Sequence, residues 1–285
     1  MFVSDNDFEK IIPKIKFHFE NIYSINNYKF QEACGSYLFN GLTYEYEPLF
    51  YEKQKLLYDV SKTRSNVLEI GVYMGHSILI MLLANPKINI TCIDIDGTYS
   101  IPSINYLKKQ FPNATINLII NDSVNTIGKI NKDFDFFHID GDHKIRVIIK
   151  EIFSILNKRH YSNLKLLFDD VGCMLPIKDC LLRVFECNYI EPKCKSPNIY
   201  FDIKIKKNKF EKQILVFKKE IKKIHKYILF QDLKILVIKI LSYIYYVVFL
   251  SNSIGRKIRK VLKKNTLYRY ITNKLYKLLD IYNSR

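Results

Sequence analysis

Apolar residues follow two different rhythms along this chain. In segments 8–23 and 48–60 they recur at three- and four-residue steps, the period of a helix that buries one face, and the stretch 35–44 between them reads as a loop. From residue 65 the rhythm changes. Short runs rich in Val and Ile at 66–70, 89–94, 116–120, 134–140 and 164–168 alternate with helix-period stretches at 76–83, 104–111, 124–130, 145–156 and 177–185. Runs that are apolar throughout, instead of at every second position, suit strands covered on both faces, as in a parallel sheet flanked by helices. Two later runs, 199–205 and 213–217, are joined by the polar 206–212 and predict an antiparallel hairpin. The pattern therefore predicts an α/β domain of five strand–helix units closed by a hairpin. No internal repeat interrupts it.

A length of 285 residues accommodates that domain with additions at both ends. The divisions fall at a helical lead-in or cap (1–60), a core (61–219) and a tail (220–285). Hydrophobic residues at 48% and charged residues at 26% exclude a disordered or fibrous chain. The formal charge of +17, from 45 Lys and Arg against 28 Asp and Glu, changes the picture only once it is located. Residues 1–204 hold 24 of each sign, leaving 21 against 4 for residues 205–285. The core gives no electrostatic reason to expect nucleic acid, and whatever the charge recruits is recruited by the tail.

In that tail the apolar run 228–250 is broken by Asp232, Lys234 and Lys239, and the longest uncharged stretch, 240–255, is short of the ~20 residues that cross a bilayer. Arg256, Lys257, Arg259, Lys260, Lys263 and Lys264 follow, then Leu267, Tyr268, Ile271, Leu275 and Leu278 at helical spacing. A basic amphipathic helical tail of this kind suits the surface of an anionic membrane. A packed appendage, a dimerisation arm that would make a homo-oligomer, and attraction of RNA through charge alone are the other readings. The opening MFVSDNDFEK lacks a basic region followed by an apolar run, so no secretory leader is expected. With six cysteines this argues for free thiols in an intracellular, cytoplasmic setting, peripheral to membrane where the tail engages it. Cys173, Cys180, Cys187 and Cys194 recur every seven residues, but zinc sites pair cysteines two to four apart. On a helix over 177–187, Cys180 and Cys187 read as small apolar packers.

Ligands of an open parallel sheet bind beyond the carboxyl ends of its strands, so those ends are where chemistry is sought. The first run leads into Glu69-Ile70-Gly71-Val72-Tyr73-Met74-Gly75-His76-Ser77, where two glycines would let the backbone turn sharply and approach a ligand. It is neither G-x-G-x-x-G nor a phosphate loop with its Lys. The second ends at Asp94, a carboxylate placed to accept both hydroxyls of a ribose. The third ends in Asn121-Asp122-Ser123, which could bond a base edge or cap the next helix. The fourth ends in Asp140-Gly141-Asp142-His143 and the fifth in Asp169-Asp170. Neighbouring strands would bring Asp140, Asp169 and Asp170 to one point. Such a cluster repels itself unless protons or a cation neutralise it, and hard oxygen ligands suit Mg²⁺. The alternative is that Asp142 and Asp170 are caps or turn residues while Asp140 alone meets a ligand.

These residues carry a resemblance. Glu69-x-Gly71-x-Tyr73-x-Gly75-x-Ser77, Asp94, Asp140 after its apolar run and the Asp169-Asp170 pair resemble class I S-adenosylmethionine-dependent methyltransferases. The similarity is closest to the Mg²⁺-dependent O-methyltransferases, a group with catechol, caffeoyl-CoA and macrocin-type sugar enzymes, and spans roughly residues 42–219. The resemblance implies a Rossmann-like, seven-stranded, mostly parallel sheet with helices on both faces. It implies that Glu69, Gly71 and Ser77, with Tyr73 and Gly75 in the same turn, hold the methionine end of S-adenosyl-L-methionine. Asp94 would take its ribose, and Asp122 and Ser123 would lie near its adenine. Asp140, Asp169 and Asp170 would hold Mg²⁺, with Asp140 also facing the cofactor. The group's lysine base falls at His143, and Lys144 follows it, so either would take the proton. The implied reaction is Mg²⁺-assisted O-methylation of a small hydroxylated acceptor such as a sugar or glycan. A non-catalytic module of the same fold, tethered by its tail, is the competing expectation. Tyr44 and Tyr46 would cover the site or pack beneath it.

Overall fold

Five of the apolar runs pair in parallel: β1 (Asn66–Ile70), β2 (Asn89–Asp94), β3 (Thr115–Ile120), β4 (Phe136–Ile139) and β5 (Asn163–Phe168). Two antiparallel strands, β6 (Glu186–Ile190) and β7 (Ile199–Lys204), complete a seven-stranded sheet in the order β3-β2-β1-β4-β5-β7-β6. Val67, Leu68 and Ile70 of β1 are all buried, as the unbroken apolar run requires of a strand covered on both faces. The crossovers carry α3 (His76–Ala84), α4 (Gly97–Gln110), α5 (Ser123–Ile127), α6 (Ile145–Leu156) and α7 (Leu175–Val184). The order runs outward from β1 through β2 to β3, then restarts at β4, so the crevice between β1 and β4 is where such a sheet admits a ligand.

The computed structural model describes residues 6–157, 163–169, 175–194, 196–205, 209–224 and 226. Its chain separates into two compact units, Met1–Ile221 and Lys222–Arg285. Nearly all of the second, with the amphipathic basic tail and its membrane, dimer and RNA readings, lies outside the described residues, as do Asp170 and Cys173. No helix among the described residues is long and apolar enough to cross a membrane.

The lead-in packs into the core of the first unit. Phe8, Ile15, Phe19 and Ile22 form the buried stripe of the first helix (Asn6–Ile25), here numbered α1. A short turn at Pro48–Phe50 then opens α2 (Tyr51–Ser61). Tyr44 stacks between Phe19 (4.1 Å) and Tyr23 (3.9 Å), and its hydroxyl donates to the Phe19 carbonyl at 3.1 Å. Packing, not coverage of a site, is what this tyrosine does.

Three expectations are corrected. The hairpin is formed by β6 and β7, while residues 210–224 are helical (α8) and include the expected strand 213–217. Ile214, Phe217 and Ile221 recur at helical steps on the buried side and Leu215 and Val216 are exposed, a period too long for a five-residue window to reveal. Phe217 packs on Phe153 (5.1 Å) and Phe185 (5.8 Å). β6 escapes the hydrophobic pattern because its run ECNYI is an edge strand with little burial. Since α7 stops at Val184, Cys187 stands on β6 and not on one helical face with the buried Cys180. Finally, α4 starts at Gly97, seven residues ahead of its apolar period, because Asp96 caps it by accepting from the Thr98 amide at 2.9 Å.

Candidate functional site

One rung of the sheet explains why distant acidic residues meet. Ile93, Ile70, Ile139 and Phe168 are aligned partners across β2, β1, β4 and β5. The next residue on each strand is Asp94, Gly71, Asp140 and Asp169. Backbone bonds extend the alignment by one step: Gly71 donates to the Ile93 carbonyl (2.9 Å), Asp140 to that of Ile70 (2.8 Å) and Asp169 to that of Ile139 (3.0 Å).

Gly71 has φ +84°, and a Cβ at this position would lie 2.2 Å from the carbonyl oxygen of Asp140. The glycine is required by the protein's own backbone, which lets the turn after β1 close onto the end of β4. Asp94 braces that turn: its Oδ2 accepts from the amides of Val72 and Tyr73, both at 2.8 Å, and its Oδ1 from that of Asp96 at 3.0 Å. The Tyr73 hydroxyl accepts from the Gln31 amide (2.9 Å), tying the turn to the lead-in. Gly75, at φ +72°, starts α3 against Leu107 and lines neither of the two cavities that open at these strand tips.

Two cavities open at the rung. The first, of about 420 Å³, is lined by Gly71, Tyr73, Asp94, Asp122, Ser123 and Asp140 among others. The second, of about 610 Å³, is walled by Tyr37, Phe50 and Lys53 from the lead-in together with Ser77, His143 and Asp169. Gly71, Tyr73 and Asp140 belong to both, so the cavities share a wall at the tips of β1 and β4. Besides Gly75, Glu69 and Lys144 are the described residues expected to act that line neither. Glu69 is fully buried beneath the site, bonded by Ser77 and 3.3 Å from Nδ1 of His138. Lys144 is exposed and turned onto Asp142 at 2.9 Å, with Asp142 also accepting from its amide. Asp122 caps α5 through the Asn125 amide (2.8 Å), so the capping alternative holds for it while its side still faces the first cavity. Ser123 donates to Glu151 at 2.5 Å.

Electrostatics single out the second cavity. Burial, and next the Asp169 charge, push the Asp140 carboxyl well above the ordinary carboxylate range, against the pull of Lys53. The Lys53 ammonium lies 2.7 Å from Asp169 Oδ2, with both side chains almost wholly buried. It also sits over the rings of Tyr37 (4.5 Å) and Phe50 (5.3 Å). Burial, then the Asp169 and Asp140 charges, push the Tyr37 hydroxyl well up. That hydroxyl is hydrogen-bonded to Nε2 of His138 (2.8 Å) and accepts from Asn198 (3.1 Å). Burial also pushes the Glu151 carboxyl up to about 7. Among the described residues no group of three His, Cys, Asp or Glu side chains could hold a metal ion. Asp140 and Asp169 do converge, but Oδ2 of Asp169 is engaged by an ammonium, so the described residues do not fit a magnesium centre.

Lys53, Tyr37 and Glu151 were not expected from sequence. A signal existed for two of them: Lys53 stands on the buried stripe of α2 with Leu57 and Val60, and Glu151 on that of α6 with Ile148 and Ile152. A charged residue at a core position requires a partner or a function.

Strand order, the reversal at β1 and β4, and the antiparallel β7 beside β5 define a Rossmann-like fold. The chain superposes on the SAH-bound Podospora anserina methyltransferase with a TM-score of 0.50 at 13% identity, covering 72% of this chain and 99% of that one. Residues 52–160, a stretch that includes the ends of β1, β2 and β4, match the family model described as O-methyltransferase. An Arabidopsis thaliana protein named as a caffeoyl-CoA O-methyltransferase is 36% identical over 81 residues, and the tapetum-specific methyltransferase 1 of the same plant 33% over 82. Each alignment covers 27% of this chain and spans about a third (35%) of the length of the curated relative.

Proposed function

We propose that this protein transfers the methyl group of S-adenosyl-L-methionine to a hydroxyl oxygen of a small acceptor, with a sugar or glycan as the acceptor class. The observation that carries the reading is the shared wall at Gly71 and Asp140, which sets a cavity suited to the donor against one suited to an acceptor. In the reaction the acceptor oxygen bonds to the methyl carbon as the carbon–sulfur bond breaks. The electron pair passes to sulfur, and the hydroxyl proton leaves to a base. In-line geometry is the main requirement, and the support for it is that the two cavities meet at one wall. In this reading the first cavity takes the nucleoside, with Asp94 at the ribose and Asp122 and Ser123 toward the base. His143 lines the acceptor cavity and is the group placed to take the proton; Lys144 is not. Magnesium assistance, which the resemblance implies, would supply a Lewis acid that lowers the acceptor hydroxyl's pKa. The described residues do not fit such an ion, because Oδ2 of Asp169 is already held by the Lys53 ammonium.

Calorimetric titration of S-adenosylhomocysteine into the full chain tests the donor half. Saturable binding that weakens by more than about tenfold in Asp94→Ala is expected. No binding to the unaltered chain refutes the reading. Transfer of labelled methyl to a panel of sugar-bearing acceptors, lost in Asp140→Ala, separates an enzyme from a binding module of the same fold.

A further inference from the structure

The residue that sets this pocket apart is Lys53, contributed by the lead-in helix α2 and brought against Asp169 from 116 positions away. We infer that Lys53 is a built-in cation: its ammonium occupies the positive position between the acidic strand tips, and while it stands there the pocket does not take a divalent metal ion. The inference rests on the methyl-transfer reading only for the identity of the pocket, and it concerns how the acceptor end of that pocket is charged.

Three observations converge on it. First, Nζ of Lys53 lies 2.7 Å from Oδ2 of Asp169, with side chains 3% and 6% exposed, so the pair is a water-excluded, charge-assisted bond and not a surface contact. Second, its surroundings are made for an ammonium. The rings of Tyr37 and Phe50 present their faces at 4.5 and 5.3 Å. An aromatic face attracts an organic cation, whereas Mg²⁺ keeps several waters and asks for near-octahedral oxygen. Third, the position is held from behind. Asn198 donates both to the Lys53 carbonyl (3.2 Å) and to the Tyr37 hydroxyl (3.1 Å), fixing the residue and one of its rings together. A dication at Asp169 would meet this ammonium at contact distance, and like charges in a buried site repel without screening by solvent.

Lys53 also lines the acceptor cavity with His143 and Asp140. It is thus a positioning residue. It holds the Asp169 carboxylate in place and offsets one of the two acidic charges, so that an incoming hydroxyl meets a pair and not a bare anionic cluster.

Manganese is the probe, titrated into the full chain by calorimetry and followed by water-proton relaxation. The unaltered protein is expected to show no saturable Mn²⁺ uptake below about 1 mM. Lys53→Met, which keeps an unbranched side chain one atom shorter and without charge, is expected to gain a saturable site at least about tenfold tighter. That site should vanish in Lys53→Met/Asp169→Asn. S-adenosylhomocysteine titrated into the same samples reports whether the donor cavity is intact. If the unaltered chain binds no S-adenosylhomocysteine, the methyl-transfer reading fails while the Mn²⁺ result still decides the role of Lys53. Saturable Mn²⁺ uptake by the unaltered protein that Asp169→Asn removes overturns the inference. So does a folded Lys53→Met that gains no uptake. Should Lys53→Met fail to fold, the comparison of the unaltered chain with Asp169→Asn decides alone. The neutral double variant is then expected to fold, since it leaves no unpaired buried charge.

Discussion

Replacing Gly71 with alanine tests whether the site is shaped by its own backbone. Two costs add. A side chain at φ +84° costs about 1–2 kcal/mol in the left-handed region. The new Cβ would also lie 2.2 Å from the oxygen and 2.5 Å from the carbon of the Asp140 carbonyl, and 2.8 Å from Cα of Gly141. None of these is the flexible end of a side chain, so the tip of β4 must move away from β1, a further ~1–3 kcal/mol by analogy with overpacked cores. The expected loss is about 2–5 kcal/mol, a large share of the ~5–15 kcal/mol that holds a domain together. Urea unfolding followed by circular dichroism measures it, with Gly128→Ala as the control. Gly128 has φ −62°, and a methyl group there would meet no other atom within 4 Å, so alanine should leave stability unchanged or raise it by up to ~1 kcal/mol. If Gly71→Ala unfolds within ~0.5 kcal/mol of the unaltered chain, the close approach of β1 and β4 is not what demands glycine.

Two further outcomes follow from buried polar groups. Glu151, with its carboxyl raised to about 7 from an ordinary 4.5, keeps its proton in the folded chain while the unfolded chain loses it. Its contribution is therefore present below pH 4.5 and lost as pH rises through 7. Glu151→Gln should accordingly gain on the unaltered protein by on the order of 3 kcal/mol between pH 4 and 8, read from urea midpoints at each pH; a constant difference would contradict the assignment. Tyr37→Phe leaves Nε2 of His138 and the Asn198 amide without their hydroxyl partner and should cost about 1–3 kcal/mol by the same assay.

How much was legible in the sequence depended on how local the cause was. β1, β2 and α6 fall on the segments expected of them, because a strand buried on both faces must be apolar throughout and a half-buried helix must repeat at its own period. The meeting of Asp140 and Asp169 was also legible, since neighbouring parallel strands in register end on one rung; Asp170, expected with them, lies outside the described residues. What failed was whatever depended on context beyond a few residues. The strand-like run 213–217 becomes helical in a longer amphipathic segment, and β6 is an edge strand too exposed to be marked by hydrophobicity. Gly71 is legible as a sharp turn, but the atoms that require it belong to residues 140 and 141. Lys53 belongs to no motif; its place on the buried stripe of α2 marks it as unusual, but its partner stands at the end of β5, 116 positions away, and tertiary packing identifies it.

In the proposed reading the tips of β1 and β4 form a wall between a donor and an acceptor cavity. A crystal structure of the full chain grown with S-adenosylhomocysteine tests it most directly. The ribose hydroxyls are expected at Asp94 and the sulfur beside Gly71 and Asp140, directed toward the cavity lined by Lys53 and His143. Density for the ligand elsewhere, or a sulfur facing away from that second cavity, would contradict it.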